Sequence, residues 1–269
     1  MIRMFFFDID GTLIVPKKGE VSERVRRAIF MLHERGIVPI LVSGRPLFSM
    51  IPLAESLSIR GCIAYNGGLV VVDGEVVYDN PIDESRVEQL VSFANSNMHP
   101  LIFPGMDGYY ATTLDHPKVR EIFQYTTTLN HSYWKHYTPK LNPSYWKTHP
   151  IYQMELIAPM EELTLYQERF GQEFQFYPWH VASSAANINP LANSKAIGMH
   201  HVLKRFSLDE SVAAAIGDGP NDIEMIRSAH LGIAMGNACK ELKSAADLVA
   251  EDVTADGAAK AIEMLLESG

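Results

Sequence analysis

The sequence predicts the α/β class, a doubly wound parallel-sheet (Rossmann-like) core into which an α+β domain is inserted. Short apolar runs alternate with segments of helical periodicity at both ends of the chain. This alternation stops near residue 81 and returns near residue 188. Polar clusters rich in Asp, Asn, Ser and Gly follow several of the apolar runs, where strands of an α/β sheet would end. We therefore expect a core formed by 1–80 and 188–269, with an inserted domain over 81–187.

Composition excludes several classes of protein. The chain has 269 residues, of which 47% are hydrophobic and 20% charged, as in an ordinary globular protein. Its formal net charge of −9 argues against a general nucleic-acid-binding surface. No apolar run approaches the roughly 20 residues of a membrane span, and no signal peptide is recognisable. Two cysteines without metal-binding spacing indicate a reducing compartment. We expect a cytoplasmic protein.

The first part of the chain predicts three strands with two intervening helices, followed by a hairpin. Strands that are buried on both faces form continuous apolar runs, and Ser22 is a natural N-cap. Pro39 lies inside the second run and counts against an interior strand position there. In chain order, the expected elements are a strand over Ile2–Ile9, a helix between Ser22 and Gly36, a strand over Ile37–Val42, a helix over Phe48–Leu57, a strand over Cys62–Tyr65 and a hairpin over Leu69–Tyr78.

The middle segment mixes short helices and short strands, which is typical of an α+β domain. Helices are expected over Val87–Phe93, Lys118–Tyr125 and Met160–Phe170, and strands over Leu101–Phe103, Tyr109–Thr112, Tyr152–Ile157, Glu173–Tyr177 and Ala186–Ile188. His131 and His136 lie among aromatic residues without metal-ligand spacing. We expect them to belong to an aromatic surface or core of the inserted domain.

Regular alternation returns near Ser194. Pro220 suits the first turn of a helix, where its missing N–H is not needed. The expected elements are a helix over Lys195–Arg205, a strand over Ser211–Ile216, a helix from Pro220 through Ile226, strands over Leu231–Met235 and Leu248–Val249, and a closing helix over Ala258–Leu266.

Four polar clusters follow predicted strands. They are Asp8-Ile9-Asp10-Gly11-Thr12, Ser43-Gly44-Arg45, Asn66-Gly67 and Gly217-Asp218-Gly219-Pro220-Asn221-Asp222. Because ligands of open α/β sheets bind at the carboxyl ends of the strands, we expect these clusters to share one crevice. The alternative, that each cluster only forms a turn, is weaker for four clusters than for one.

These clusters contain the groups of a magnesium and phosphate site. Asp8, Asp10, Asp218 and Asp222 would repel one another unless a cation joins them, and hard oxygen ligands suit Mg²⁺. The clusters lack histidine, which argues against zinc. Lys195 adds a cation, Ser43 a hydroxyl and the turn glycines backbone N–H groups, which together could hold a phosphate.

The first and last clusters together resemble the haloacid dehalogenase superfamily of phosphohydrolases. Further segments resemble its Cof-type group, in which a large cap domain is inserted after the third core strand. The segments that carry this closer resemblance are Ser43-Gly44-Arg45, Tyr65-Asn66-Gly67-Gly68, Ala234-Met235-Gly236-Asn237-Ala238, Ala246-Asp247 and Asp256-Gly257. The resemblance covers the whole core, and it implies that 81–187 is a cap that sets substrate specificity.

The resemblance also implies roles for the catalytic and metal-binding residues. Asp8 would be the nucleophile that forms an aspartyl-phosphate, with its other oxygen on Mg²⁺. Asp10 would bind Mg²⁺ through its backbone carbonyl, protonate the leaving alcohol and then deprotonate the attacking water. Asp218 would ligate Mg²⁺, and Asp222 would support the metal site. An acidic residue at position 10 favours phosphoryl chemistry over dehalogenation, because an alkoxide needs a proton and a halide does not.

The remaining implied roles concern the phosphoryl group. Ser43 and the amides of Gly44 and Ile9 would hold its oxygens, Lys195 would neutralise nucleophile and phosphate, and Asn221 would contact the phosphate.

We therefore expect a Mg²⁺-dependent phosphatase of small phosphorylated metabolites, with sugar phosphates as the first candidates. A phosphomutase and a non-catalytic metabolite-binding protein are the alternatives. The expected partner is a small-molecule phosphate ester, without nucleic acid or membrane, and the sequence does not indicate an oligomeric state.

Overall fold

The computed structural model describes residues 1–15, 19–121, 138–179 and 184–267. The chain divides into two compact units. Unit 1 comprises Met1–Asp79 and Ser194–Gly269, and unit 2 comprises Asn80–Asn193. His131, His136 and the second half of the helix expected over Lys118–Tyr125 lie outside the described residues.

Unit 1 begins with the alternation that the sequence predicts. Its first elements are β1 Met4–Asp8, α1 Glu23–Glu34, β2 Val38–Val42, α2 Leu47–Ser56, β3 Gly61–Ala64, β4 Leu69–Val72 and β5 Glu75–Asp79. Helix α1 starts where expected, because the Ser22 Oγ accepts a hydrogen bond from the Val25 amide at 3.2 Å. The same hydroxyl donates to Asp256 at 2.6 Å, which ties the start of α1 to the C-terminal segment.

Unit 2 contains the mixed elements of the middle segment. They are α3 Glu84–Ser96, β6 Leu101–Pro104, β7 Tyr109–Ala111, β8 Lys140–Leu141, β9 Met154–Ile157, α4 Leu163–Phe170, β10 Phe174–Pro178 and β11 Ala185–Pro190. The strands form one sheet in the order β10-β11-β9-β6-β7-β8. Residues of the sheet and of α3 and α4 form one apolar cluster, which includes Leu90, Leu156 and Tyr166.

The chain then returns to unit 1. Its last elements are α5 Lys195–Arg205, β12 Ala213–Gly217, α6 Ile223–Ser228, β13 Leu231–Ala234, α7 Lys240–Ala245, β14 Leu248–Val249 and α8 Gly257–Glu267. Helix α5 matches the expected bounds, and the Ser194 Oγ caps it by accepting from the Ile197 amide. The helix expected from Pro220 begins as a 3₁₀ turn over Pro220–Asp222 before α6. Helix α7 was not expected from the sequence.

The sheet of unit 1 has the order β14-β13-β12-β1-β2-β3-β4-β5. Neighbouring strands from β14 to β3 are parallel, and β4 and β5 add an antiparallel hairpin. Strand β1 lies between β12 and β2, and its five residues are buried. The α/β core with a largely parallel sheet is therefore confirmed.

Pro39 lies inside β2 although an interior strand position disfavours proline. On the β1 side, Pro39 pairs with Phe5, and the Val38 amide donates to the Arg3 carbonyl. Amides alternate in direction along a strand, so the missing N–H of Pro39 would point toward β3. Pairing with β3 begins only at Leu41. The proline therefore removes no hydrogen bond between these strands.

The second boundary between the units differs from the expected one. The expected boundary after residue 187 falls inside β11, whose residues up to Pro190 pair with β10. Unit 2 accordingly extends to Asn193. The Asn80 side chain donates to Asn193 Oδ1 at 2.7 Å, and the Asn193 side chain donates to the Asn80 carbonyl at 3.2 Å. These bonds tie together the two ends of unit 2.

Among the described residues, every helix is too short or too polar to cross a bilayer.

Candidate active site

The polar clusters of unit 1 lie at the carboxyl ends of its central parallel strands. Asp8 is the last residue of β1 and pairs with Val42, directly before Ser43. On its other side, β1 pairs with β12, which ends at Gly217 directly before Asp218. Adjacent parallel strands therefore bring residues together that are about two hundred positions apart in the chain.

Lys195 joins two of the predicted acidic residues. Its Nζ donates to Asp8 Oδ1 and to Asp222 Oδ1, each at 2.6 Å. Only 1% of Lys195 is exposed, so these contacts take place away from water. Burial lowers the pKa of Lys195, but the carboxylates of Asp222 and Asp8 outweigh this effect and raise the pKa overall. The lysine is therefore a buried, fixed cation beside Asp8.

Asp8 has one bonded and one unbonded carboxylate oxygen. Its Oδ2 is buried and has no hydrogen-bond partner among the described residues. Burial raises the pKa of Asp8 well above its usual range, Lys195 opposes this effect, and Asp222 and Asp218 reinforce it. A buried carboxylate oxygen without a partner is rare in native proteins, and it needs a positive or hydrogen-bonding neighbour.

The residues present fit a hard cation. Carboxylate oxygens of Asp8, Asp218 and Asp222 lie within 4.8 Å of one another. Burial, followed by repulsion from Asp222, raises the pKa of Asp218 to about 7. A cation among these groups would relieve that repulsion and supply the orphaned Asp8 Oδ2 with a partner. An all-oxygen donor set is the type that Mg²⁺ prefers.

Asp222 contributes to this group mainly as an organising residue. Its Oδ1 accepts from Lys195, and its Oδ2 accepts from the amides of Asp218 and Gly219 at 3.1 and 2.9 Å. Both oxygens are thus already bonded within the protein. The carboxylate closes the turn that carries Asp218 and orients Lys195 at the same time.

The Asp10 side chain is paired with Arg45, a residue to which the sequence analysis gave no role. Arg45 Nε donates to Asp10 Oδ2 at 2.8 Å, and a terminal guanidinium nitrogen donates to Oδ1 at 2.5 Å. The arginine is 5% exposed and the Asp10 side chain 49% exposed. This two-bond pairing fixes the plane of the carboxylate. The structure therefore holds the Asp10 side chain on a buried guanidinium, and the Asp10 charge still contributes to the raised pKa of Asp218.

Ser43, Gly44 and Asn221 are connected through Asn66. The Asn66 amide donates to the Ser43 carbonyl at 3.0 Å, and Asn221 Nδ2 donates to Asn66 Oδ1 at 2.9 Å. A Cβ on Gly44 would lie 2.9 Å from Asn66 Nδ2. Ser43 is buried, and its Oγ accepts from the Arg45 amide. Three of the predicted clusters thus meet around one asparagine.

Ile9 and Gly11 shape the turn after β1. The Ile9 carbonyl accepts from the amides of Thr12, Leu13 and Ile14 at 2.9 to 3.3 Å. Gly11 has a φ of +82°, and a Cβ there would lie 2.1 Å from Asp218 Oδ2. Only glycine allows this turn to approach the Asp218 carboxylate so closely.

Three side chains of the site received no role from the sequence, namely Arg45, Asn66 and Asn237. Asn237 Nδ2 donates to the Gly11 carbonyl at 2.8 Å and to Asp218 Oδ2 at 3.1 Å, while its Oδ1 accepts from the Val253 amide. It therefore orients Asp218 from the loop after β13. All three follow predicted strands, and this position is the signal in the sequence that points to them.

Comparisons with known proteins identify the family of this chain. A family model of haloacid dehalogenase-like hydrolases matches residues 5–262. A Bacillus subtilis protein named as a candidate phosphatase, YkrA, is 35% identical over 98% of this chain and 97% of its own length. The 5-amino-6-(5-phospho-D-ribitylamino)uracil phosphatase YcsE of the same species is 27% identical over 97% of this chain and 94% of its own.

A solved structure is similar along the whole chain. The crystal structure of a hypothetical protein from Geobacillus kaustophilus matches with a TM-score of 0.88 and 31% identity, and the match covers 99% of both chains. The relatives that are named phosphatases are consistent with the predicted enzyme class, a phosphoric monoester hydrolase. Together, the family match and the similarity to the solved structure show that the chain is an enzyme of the haloacid dehalogenase-like hydrolases.

Proposed function

We propose that this hydrolase is a Mg²⁺-dependent phosphatase of small phosphorylated metabolites, with sugar phosphates as the first candidates, and that it acts through an aspartyl-phosphate on Asp8. The observation that carries the proposal is the state of the Asp8 carboxylate. One oxygen is held by Lys195, and the other is buried without a protein partner beside two further carboxylates. An oriented, poorly solvated carboxylate beside a fixed cation is suited to attack phosphorus.

Asp8 would form a bond to phosphorus as the bond from phosphorus to the leaving oxygen breaks. Water would then attack the same phosphorus and release inorganic phosphate, with the carboxylate of Asp8 restored. Lys195 favours the ionised form of Asp8 against the effect of burial, and it offsets negative charge that builds up near it.

Asp10 would move the protons in both steps. It would give a proton to the leaving alkoxide and later take one from the attacking water. Arg45 is its positioning residue, because two hydrogen bonds hold the carboxylate in one plane. Before it can donate a proton, Asp10 must take one up and loosen its pairing with Arg45.

Mg²⁺ would be held by Asp8, Asp218 and the Asp10 backbone carbonyl, with Asp222 supporting the site. When bound, it would supply positive charge for the phosphoryl oxygens. Ser43, Asn221 and the amides of Gly44 and Ile9 would hold the other phosphoryl oxygens. Asn66 would keep Asn221 and the Ser43 segment at a constant separation.

Unit 1 would be the catalytic core and unit 2 the cap that selects the substrate. The expected partner is a small phosphate ester in the cytoplasm. The phosphorylated ribityl compound in the name of YcsE supports a substrate that carries a sugar-like chain.

A phosphate-release assay over a panel of metabolite phosphates tests this proposal. We expect turnover of p-nitrophenyl phosphate and faster turnover of one or more sugar phosphates, with free phosphate and alcohol as products. An isomeric phosphate ester without phosphate release would indicate a phosphomutase. Tight binding without any turnover would indicate a metabolite-binding protein, and either result would contradict the proposal.

A further inference from the structure

Most carboxylate oxygens of the acidic group formed by Asp8, Asp218 and Asp222 already accept hydrogen bonds within the protein. Lys195 Nζ donates to Asp8 Oδ1 and to Asp222 Oδ1, and two turn amides donate to Asp222 Oδ2. Asn237 Nδ2 donates to Asp218 Oδ2 at 3.1 Å. Asp8 and Asp218 are therefore each left with a single oxygen that accepts no hydrogen bond from the described residues.

These two oxygens are the ones that the protein leaves for a cation. Asp8 is 5% exposed, so its Oδ2 lacks a protein partner and is also shielded from water. Native proteins rarely leave a buried carboxylate oxygen in this state. Asp218 belongs to the same group, in which each residue has a carboxylate oxygen within 4.8 Å of one from each neighbour. The group thus presents one unbonded oxygen from each of two carboxylates.

The orientation of the Asn237 amide is fixed by its two backbone partners. The Val253 amide donates to Asn237 Oδ1 at 2.9 Å, and Asn237 Nδ2 donates to the Gly11 carbonyl at 2.8 Å. A backbone amide can only donate and a backbone carbonyl can only accept, so the side chain cannot be turned round. The nitrogen of Asn237 therefore has to face the Asp218 carboxylate.

The loop that carries Asn237 is held against the C-terminal segment. The Gly236 amide donates to the Glu251 carbonyl at 3.0 Å, and a Cβ at Gly236 would lie 2.5 Å from the backbone nitrogen of Asp252. Lys243 Nζ donates to the Gly236 carbonyl. Although Asn237 lies at the surface, its place beside the acidic group is therefore determined by the backbone around it.

The number of free oxygens matters because magnesium and calcium use carboxylates differently. Mg²⁺ demands a near-ideal octahedral shell, keeps several waters and is usually bound through one or two carboxylates. Ca²⁺ takes six to eight oxygens and often uses both oxygens of one carboxylate. A carboxylate with one oxygen held by an N–H group suits the first cation better than the second.

We infer that Asn237 is a positioning residue that determines the choice of metal, because it restricts Asp218 to one ligand oxygen and thereby disfavours Ca²⁺ relative to Mg²⁺. This inference rests on the magnesium site of the proposed function and deepens it. Asn237 acts through Asp218 and needs no contact with the substrate.

Calorimetric titration of the metal-free, full-length protein with MgCl₂ and with CaCl₂, in the absence of substrate, tests the inference. We expect the wild type to bind Mg²⁺ more tightly than Ca²⁺. Asn237→Leu keeps the size of the side chain and removes its donor. It should lower the ratio of the Ca²⁺ Kd to the Mg²⁺ Kd about tenfold, the lower end of the effects of residues that orient metal ligands.

A second variant and a control complete the test. Asn237→Ala should change the ratio in the same direction, and it provides an independent measurement if Asn237→Leu fails to fold. Asn95→Leu, an equal change at an exposed position of α3, should leave the ratio unchanged. With p-nitrophenyl phosphate at constant Mg²⁺, the Ca²⁺ concentration that halves turnover should also fall about tenfold in Asn237→Leu.

The outcomes separate this inference from the proposed function. A ratio within about twofold of wild type in the folded Asn237 variants would overturn the inference. Equal weakening of both cations would also overturn it, because Asn237 would then only hold Asp218 in place. A wild type that binds Ca²⁺ more tightly would overturn it as well, with Mg²⁺-dependent turnover intact. A wild type that binds neither cation would instead overturn the proposed magnesium site, and the inference with it.

Discussion

At the scale of single residues, Lys195 controls the electrostatics of the site. It is buried between Asp8 and Asp222, and its two hydrogen bonds determine where both carboxylates lie. A lysine at a helix start is usually a solvated surface charge. Here the end of β1 supplies Asp8, and the turn after the neighbouring strand β12 supplies Asp222.

We predict that Lys195→Met lowers kcat/KM about 10²–10³-fold, the usual effect of removing one group that stabilises developing charge. It should also destabilise the fold by about 3–5 kcal/mol, because two buried carboxylates lose their counter-ion. Phosphate release and thermal unfolding measure the two effects. Lys204→Met, at an exposed position of the same helix, is the control and should change neither. Unchanged turnover in Lys195→Met would contradict the assigned role.

We predict that the loss of turnover on replacing Asp10 increases with the basicity of the leaving group. Asp10→Asn should slow turnover of an alkyl phosphate about 10²–10⁴-fold, the range for positioned proton transfer. The loss for p-nitrophenyl phosphate should be smaller, because its phenolate leaves with little protonation. Arg45→Leu should show a weaker dependence on the leaving group, because Asp10 keeps its carboxyl group but loses the two hydrogen bonds that orient it. Equal losses for both substrates would exclude proton transfer by Asp10.

At the scale of elements, the turn between β3 and β4 supports the start of α5. Tyr65 and Asn66 both have positive φ, and their amides donate to the Arg45 and Ser43 carbonyls. Gly67 then packs so closely that a Cβ would lie 2.0 Å from the Ser194 carbonyl. Ser194 caps the helix that carries Lys195. The turn therefore links Ser43 and Arg45, after β2, to the start of the helix that carries Lys195.

We predict that Gly67→Ala lowers both the melting temperature and the activity. Gly74→Ala is a matched control, because Gly74 also has a positive φ but has no atom within 4 Å of its Cβ position. The control should cost about 1–2 kcal/mol from the left-handed backbone alone and leave kcat unchanged. Equal destabilisation and equal activity in the two variants would show that the contact with Ser194 does not matter.

The ends of helices and strands could be predicted from the sequence where a capping residue or a turn residue determines them. Helix α5 follows from its Ser194 cap, and the hairpin of β4 and β5 follows from Asp73-Gly74, which both have positive φ. The extent of β11 was not predictable, because its pairing with β10 and β9 decides how far the strand continues. The tolerance of β2 for Pro39 likewise depends on the register with β3, which the local sequence does not contain.

At the scale of the whole molecule, the sequence predicted which segments meet but not every partner. Asp8, Asp218 and Asp222 were expected to meet because each lies in a polar cluster that follows an apolar run, and the structure brings them together with Lys195. The pairing of Arg45 with Asp10 and the bonds of Asn237 depend on side-chain directions across different loops. Strand order alone does not specify those directions.

We predict that activity depends on a divalent cation. EDTA should abolish turnover and Mg²⁺ should restore it, whereas Ca²⁺ should not, because it prefers more oxygen ligands at longer distances and would engage both oxygens of Asp8. Mg²⁺ should also raise the melting temperature, since it relieves repulsion among three clustered carboxylates. Full activity after exhaustive removal of metal would contradict the proposed site.

The central claim is that Asp8 is phosphorylated during turnover, and one measurement tests it directly. Wild-type protein is mixed with a substrate and Mg²⁺, quenched in acid within milliseconds and digested, and the peptides are weighed by mass spectrometry. We expect one added phosphoryl group on the peptide that contains Asp8, which disappears as the substrate is consumed and is absent in Asp8→Asn. Wild-type turnover by Asp8→Asn, or a phosphoryl group on a different residue, would contradict the account.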